Sequence, residues 1–156
     1  MEEGFLLSRE LRNGERQVRL GRFGQAQQRP ASRGDAAQQL AQGWLARATA
    51  FYDQGQWEEA KNAFIKYLEE SPEDAGAMAD LGICYKELKE YERAIRSFDR
   101  ALVVVPGHWQ ALYNKILVLG FHLDKKPEAK KLMRELQRLQ PNNPDVARLA
   151  RDVARL

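Results

Sequence analysis

The sequence predicts an all-α fold, a short solenoid of stacked antiparallel helical hairpins running from about Asp35 to Leu156. Three observations lead there. Ala, Leu, Glu, Gln, Lys and Arg dominate the composition, and all are good helix formers. Three segments superimpose on a small residue, a large apolar residue and a proline: Ala60, Phe64 and Pro72 match Ala94, Phe98 and Pro106, then Ala129, Met133 and Pro141. Pro72 and Pro106 stand 34 residues apart, and Pro106 and Pro141 stand 35 apart, a period at which pairs of helices stack. The extra residue is expected in the turn Leu123–Pro127, because length varies most freely in turns.

The elements follow in order. A first helix is expected over 36–54, opened by Asp35 with Gln38 three residues on in the manner of a capping box, and a second over 57–70. In the middle repeat Met78, Leu81, Gly82 and Tyr85 fall at i, i+3, i+4, i+7. After a break at Lys89-Glu90 the spacing resumes at Tyr91, Ala94, Ile95, Phe98, Ala101 and Leu102. That pattern gives helices over 75–88 and 91–104, with Asp74 placed to cap the former. Helices over 109–122, 127–139 and 144–155 complete the set, and Asn143-Pro144 supplies an N-cap and first-turn pair for the last. Pro72, Pro106 and Pro141 close the hairpins, since proline cannot continue a helix and turns its predecessor away from helical angles. The final helix carries Val146, Leu149, Ala150 and Val153 on one face and Arg148, Arg151 and Arg155 on the other, as a terminal cap requires.

Met1–Gly34 differs from all of this. It holds seven arginines and five glycines with no repeat, and it is expected to be disordered. Phe5–Leu11 allows a helical turn or two, which Gly14 and Gly21 interrupt.

A chain of 156 residues suffices for one domain with a sizeable core. Its 25 basic and 22 acidic residues nearly cancel, so nucleic acid is not demanded as a partner. No run reaches the roughly 18 apolar residues that span a bilayer, and Phe5-Leu6-Leu7 is too short for the centre of a secretory signal. The expected compartment is the cytoplasm, although a removed signal sequence would leave the same chain. Cys84 lies between Ile83 and Tyr85 without a basic neighbour, as a buried and inert thiol would. His108 and His122 are fourteen residues apart with no other ligand at metal spacing, so no metal and no cofactor is expected. There is no phosphate loop, dinucleotide fingerprint or nucleophile elbow, and Glu58-Glu59 and Glu69-Glu70 read as solvated helix faces. An enzyme is not expected.

These residues resemble the tetratricopeptide repeat family. The middle repeat matches nearly throughout, with Leu81-Gly82, Tyr85, Tyr91, Ala94, Phe98, Ala101-Leu102 and Pro106. The first keeps Trp44, Phe51, Trp57, Ala60, Phe64, Leu68 and Pro72. The resemblance implies a right-handed superhelical solenoid with repeats at about 41–74, 75–108 and 109–143, then a capping helix at 144–156. Gly82, Ala94 and Ala101 mark the positions where helices cross closely. Tyr67, Ile116 and Leu136 replace small residues and Met133 replaces phenylalanine, so looser packing is expected in the third repeat.

In that family the first helix of each hairpin lines a concave groove. Carried over residue by residue, the contact positions fall at Gln42, Leu45, Thr49, Tyr52 and Asp53, then Ala79, Asp80, Ile83, Lys86 and Glu87, then Gln110, Tyr113, Asn114, Leu117 and Phe121. The expected role is a non-catalytic adaptor that binds a protein or peptide segment by apolar anchors. The aliphatic members among these also suit packing between hairpins. One subclass of the family clamps a C-terminal carboxylate with Lys, Asn and Arg side chains. Here those places read Leu45, Thr49, Asp80, Gln110 and Asn114, so the clamp is missing. Two other readings remain: a structural module that pairs as a homodimer or stacks end to end through Trp44, Trp57 and Trp109, and an RNA-binding helical repeat. The last is disfavoured because Lys86 is the one basic residue among these positions.

Overall fold

The computed structural model describes residues 32–156, and among these there are seven helices and no strand. They are α1 (Arg33–Asp53), α2 (Trp57–Glu70), α3 (Ala75–Glu87), α4 (Tyr91–Val104), α5 (Trp109–Leu117), α6 (Lys126–Leu139) and α7 (Pro144–Ala154). A π-helical turn, Val118–His122, extends α5. The chain divides into two units, one ending at Ala36 and one running from Ala37 to Leu156. The expected disorder of Met1–Gly34 and the short helix at Phe5–Leu11 lie outside the described residues, apart from Ser32–Gly34. Arg33 and Gly34 are helical, which corrects the expected start at 36. The cap is Ser32, whose N–H donates to Asp35 Oδ2 at 2.7 Å while the Asp35 N–H donates to Ser32 Oγ at 3.2 Å. Asp35 is therefore the acid of the capping box instead of its N-cap, and the Ser32 N–H holds its carboxyl below the usual range.

Within the second unit the helices pack in chain order, each hairpin against the next. Local chemistry sets the boundaries. Asp74 Oδ1 accepts from the Ala77 N–H at 2.9 Å, and Asn143 Oδ1 accepts from Asp145 and Val146 at 2.9 and 3.3 Å, so both expected caps are formed. Each hairpin turn places one residue in the left-handed region at the same point of the repeat: Gly55 (φ 69°), Lys89 (φ 63°) and Asp124 (φ 53°).

The small residues of the repeat sit where helices touch. Ala60, Ala94, Ala101 and Ala129 have no exposed surface, and a Cβ on Gly82 would stand 2.4 Å from Phe98 Cε1. Gly82 is thus the point at which α3 lies against the fully buried Phe98 ring of α4. The substituted sites of the third repeat are filled instead of loose, with Ile116 and Leu136 fully buried and Met133 4% exposed. Larger side chains there replace the volume that phenylalanine fills in the other repeats. The thirty-fifth residue of that repeat is taken up at the end of α5. The N–H that closes the turn spans five residues in the second repeat, from Glu90 to the Tyr85 carbonyl, and six in the third, from Lys125 to the Leu119 carbonyl. The π-helical turn accommodates the difference, so the insertion begins in the helix upstream of the expected position. Gly120, in that turn, abuts Leu156 and Ala129; a Cβ there would stand 2.8 and 3.3 Å from them.

Polar side chains near the core are satisfied across elements. Tyr67, large at a site that favours small residues, donates its hydroxyl to Asp74 Oδ2 at 2.7 Å, which ties the α2 side chain to the α3 cap. Lys61 bonds Glu58 at 2.6 Å and reaches Glu90, the residue that opens α4, at 3.6 Å. The capping helix α7 buries Val146, Leu149 and Val153 against Leu112 and Leu136. Ile83 and Tyr85 flank Cys84, which is wholly buried, and burial pushes its thiol up to about 12.

Candidate functional site

The inner helices α1, α3 and α5 carry every position assigned to the groove, with Phe121 in the π-helical extension. Ala48, Leu81 and Leu112 are buried on the sides that pack inside the array, and α3 is shielded around most of its circumference, the assigned position Ala79 included. Of the assigned apolar residues, Leu45 and Ile83 are half-buried against the core of the first two repeats, and Leu117 packs the same way against the core of the third. Packing between hairpins is therefore part of what these three do. Phe121 differs, being 44% exposed.

Tyr52 sits edge-on to Trp57 at 5.3 Å and to Phe64 at 6.3 Å between ring centroids, so its ring is anchored by α2. Burial first, and then the charges of Asp80, Glu87 and Asp53, push its hydroxyl up to about 12. Asp80 is raised from the ordinary carboxylate value by burial and by Asp74 and Asp53, with His108 opposing. Three acids from α1 and α3 thus share the ground around Tyr52, and the local potential is negative.

One bridge joins the inner helices of the second and third repeats. Lys86 Nζ donates to Asn114 Oδ1 at 3.2 Å and pairs with Glu87 at 3.2 Å, while Asn114 Nδ2 donates to the Gln110 carbonyl at 3.0 Å. Lys86 and Asn114 thus hold each other in place. Thr49 spends its hydroxyl on the Leu45 carbonyl at 2.9 Å. Tyr113 is edge-on to Trp109 at 6.5 Å, and burial together with Asp145 and Asp152 of α7 raises its hydroxyl. The sequence did not connect Tyr113 with these two acids of α7.

The remaining candidates are accounted for locally. His108 Nδ1 accepts from the Ala111 N–H at 3.3 Å as the N-cap of α5, and His122 stacks on Tyr91 at 4.5 Å. Among the described residues no group of three His, Cys, Asp or Glu side chains converges as a metal site would require, and no helix is long and apolar enough to cross a membrane. The tryptophans expected to supply an interface are half-buried within the chain: Arg47 lies over Trp44 at 5.2 Å, Trp57 holds Tyr52, and Trp109 holds Tyr113.

Hairpins of nearly equal length packed in series, with charged and aromatic side chains on their first helices, define a helical-repeat protein. The sequence profile of the tetratricopeptide repeat family matches residues 45–107 and 85–144, and the chain belongs to that family. Human protein O-mannosyl-transferase TMTC3 is 37% identical over 75 residues, a stretch that covers 46% of this chain and 8% of that protein. The chain thus spans a small part of that relative. Among solved structures, the first TPR of Spaghetti (RPAP3) bound to the HSP90 peptide SRMEEVD superimposes with a TM-score of 0.69 at 22% identity, covering 75% of this chain and 94% of that one. The second TPR domain of human RPAP3 in complex with the HSP70 peptide SGPTIEEVD gives 0.69 at 19% identity over 76% and 98%. The Arabidopsis OM64 TPR domain gives 0.70 at 16% over 75% and 96%. Likeness of this degree makes the fold the right-handed superhelical solenoid of the family.

Proposed function

We propose that this chain is a non-catalytic interaction adaptor that holds a peptide segment of a partner protein in the groove of α1, α3 and α5. The observation that carries the reading is the continuity of the inner strip. Asp53 and Asp80 share the surroundings of Tyr52, and Lys86 meets Asn114, so three successive repeats contribute adjoining side chains. Two of the structural neighbours hold peptides, which supports a peptide here as well. Those peptides end in acidic residues, and this groove meets them poorly. The clamp positions are Leu45, Thr49, Asp80, Gln110 and Asn114, and Asp53, Asp80 and Glu87 outnumber the single Lys86. The fitting ligand is an uncharged or basic segment with an aromatic or aliphatic anchor, because like charges at a half-buried site are costly.

The experiment begins with a pull-down on the intact chain and peptide mapping of the protein recovered. The mapped peptide is then titrated against Tyr113→Ala with Asn114→Ala, and separately against Arg151→Ala with Arg155→Ala, which are exposed at the C-terminal end of α7. Loss of a central aromatic anchor is expected to weaken binding by about 2 kcal/mol, against a few tenths for the arginine pair. Undiminished binding in the groove variant, with affinity lost in the arginine variant, would move the site to the capping helix.

A further inference from the structure

A second cleft lies on the far side of α3 from the groove. Successive residues of an α-helix advance by about 100°, so Leu81 and Tyr85 stand roughly 160° around α3 from Ile83, one on either side. Together with Ile65 and Leu68 of α2 they floor a cleft of 610 Å³ whose other wall is α4. The α4 wall presents Arg93, Arg96 and Arg100, spaced i, i+3, i+7 on one edge. Arg93 bonds Glu90 at 2.7 Å and lies over the Tyr85 ring at 5.8 Å. Arg96 and Arg100 are exposed and take part in no ion pair among the described residues. The one acid on the rim, Glu69, is held by Lys66 at 3.1 Å and so adds little negative charge to the cleft.

We infer that this cleft seats an acidic peptide segment of a partner protein, with carboxylates on Arg96 and Arg100 and an apolar side chain against Ile65 and Tyr85. The chemistry selects that occupant on two grounds. Guanidinium groups bind carboxylates by paired parallel hydrogen bonds, and two free ones at the edge of an apolar floor suit a ligand that alternates acid with hydrocarbon. A nucleic acid would need stacking faces for successive bases, and Tyr85, with Arg93 over its ring at 5.8 Å, is the one aromatic residue that lines the cleft. The charge is opposite in sign to that around Tyr52, so the two surfaces take different ligands. This inference does not rest on the groove.

The test uses fluorescence anisotropy with the full chain and a short fluorescein-labelled peptide of repeated Glu-Glu-Leu. Matched Glu-Glu-Ser and Lys-Lys-Leu peptides and single-stranded polyuridylate serve as the other probes. The parent is expected to bind Glu-Glu-Leu more tightly than Glu-Glu-Ser. Arg96→Glu with Arg100→Glu should lose about tenfold or more and gain affinity for Lys-Lys-Leu, as charge reversal at a complementary site requires. The milder Arg96→Gln with Arg100→Gln should move in the same direction, and circular dichroism verifies that each variant is folded. Ile65→Ser should weaken Glu-Glu-Leu alone, and Tyr113→Ala with Asn114→Ala should change nothing. Equal binding by parent and both arginine variants overturns the inference, and so does failure of the parent to bind Glu-Glu-Leu. Tighter binding of polyuridylate, indifferent to Ile65→Ser, overturns it in favour of a phosphate-binding ledge.

Discussion

A methyl group added at Gly82 tests the close crossing at the centre of the array. The new Cβ would lie 2.4, 2.7 and 2.9 Å from three carbons of the Phe98 ring, where about 3.5 Å or more is comfortable. Phe98 has no exposed surface, so its ring cannot swing into water, and ring and helix must move apart by about an ångström at the nearest contact. Overpacking of this kind costs about 1–3 kcal/mol. Replacing glycine by alanine inside a helix returns about 1 kcal/mol through propensity. Gly82→Ala is therefore expected to lose up to about 2 kcal/mol, and Gly82→Leu more. Gly43, inside α1 with nothing within 4 Å of its Cβ position, provides the opposite control: Gly43→Ala is expected to gain about 0.5–1 kcal/mol. Urea denaturation followed by circular dichroism measures both. The decisive extension is Gly82→Ala combined with Phe98→Leu, whose joint loss should be smaller than the sum of the singles because the smaller side chain makes room. If Gly82→Ala and Gly43→Ala both stabilise the protein, position 82 is only a helical glycine and the crossing has been misplaced.

Three further outcomes are expected. Lys89→Gly should raise stability by about 0.5–1 kcal/mol, because Lys89 adopts φ 63°, where glycine is at ease and a β-carbon is not; a loss in urea denaturation would mean its side chain matters more than its backbone. Deleting Pro144–Leu156 should cause aggregation visible in light scattering, since it strips Val146, Leu149 and Val153 from Leu112 and Leu136; a soluble, fully helical truncation would refute the capping role. Asp80→Asn should stabilise the protein at pH 7. The folded state holds Asp80's proton more tightly than the unfolded chain does, so its charged form opposes folding above the raised value, and that penalty fades as pH falls through it towards 3.8. Thermal melts across that range should show the variant's advantage shrinking as pH drops, and an advantage that grows instead would contradict the sign.

The sequence by itself determined the number of helices, their spans to within three residues once the π-helical turn is counted with α5, and which residues lie on the inner helices. It did so because these depend on short-range terms: the period of apolar residues around Leu81 and Phe98, the prolines at 72, 106 and 141, and caps such as Asp74 and Asn143 that bond their own next turn. The same terms placed Tyr52, Asp80, Lys86, Tyr113 and Asn114 on the inner helices. What it left open was which polar atoms are free. Lys86 and Asn114 are twenty-eight residues apart, and only the seating of α3 beside α5 brings them to 3.2 Å. Tyr67 looked like a misfit until the start of α3 placed Asp74 within reach of its hydroxyl. The insertion of the third repeat entered the helix instead of the turn, at a place where Gly120 lies close against Ala129 and Leu156. Nothing in the sequence sets Arg96 and Arg100 apart from the other arginines of the chain. The tertiary structure makes them the rim of an apolar cleft, because α2 and α4 are remote in sequence from each other and only their packing over α3 decides what lies between them.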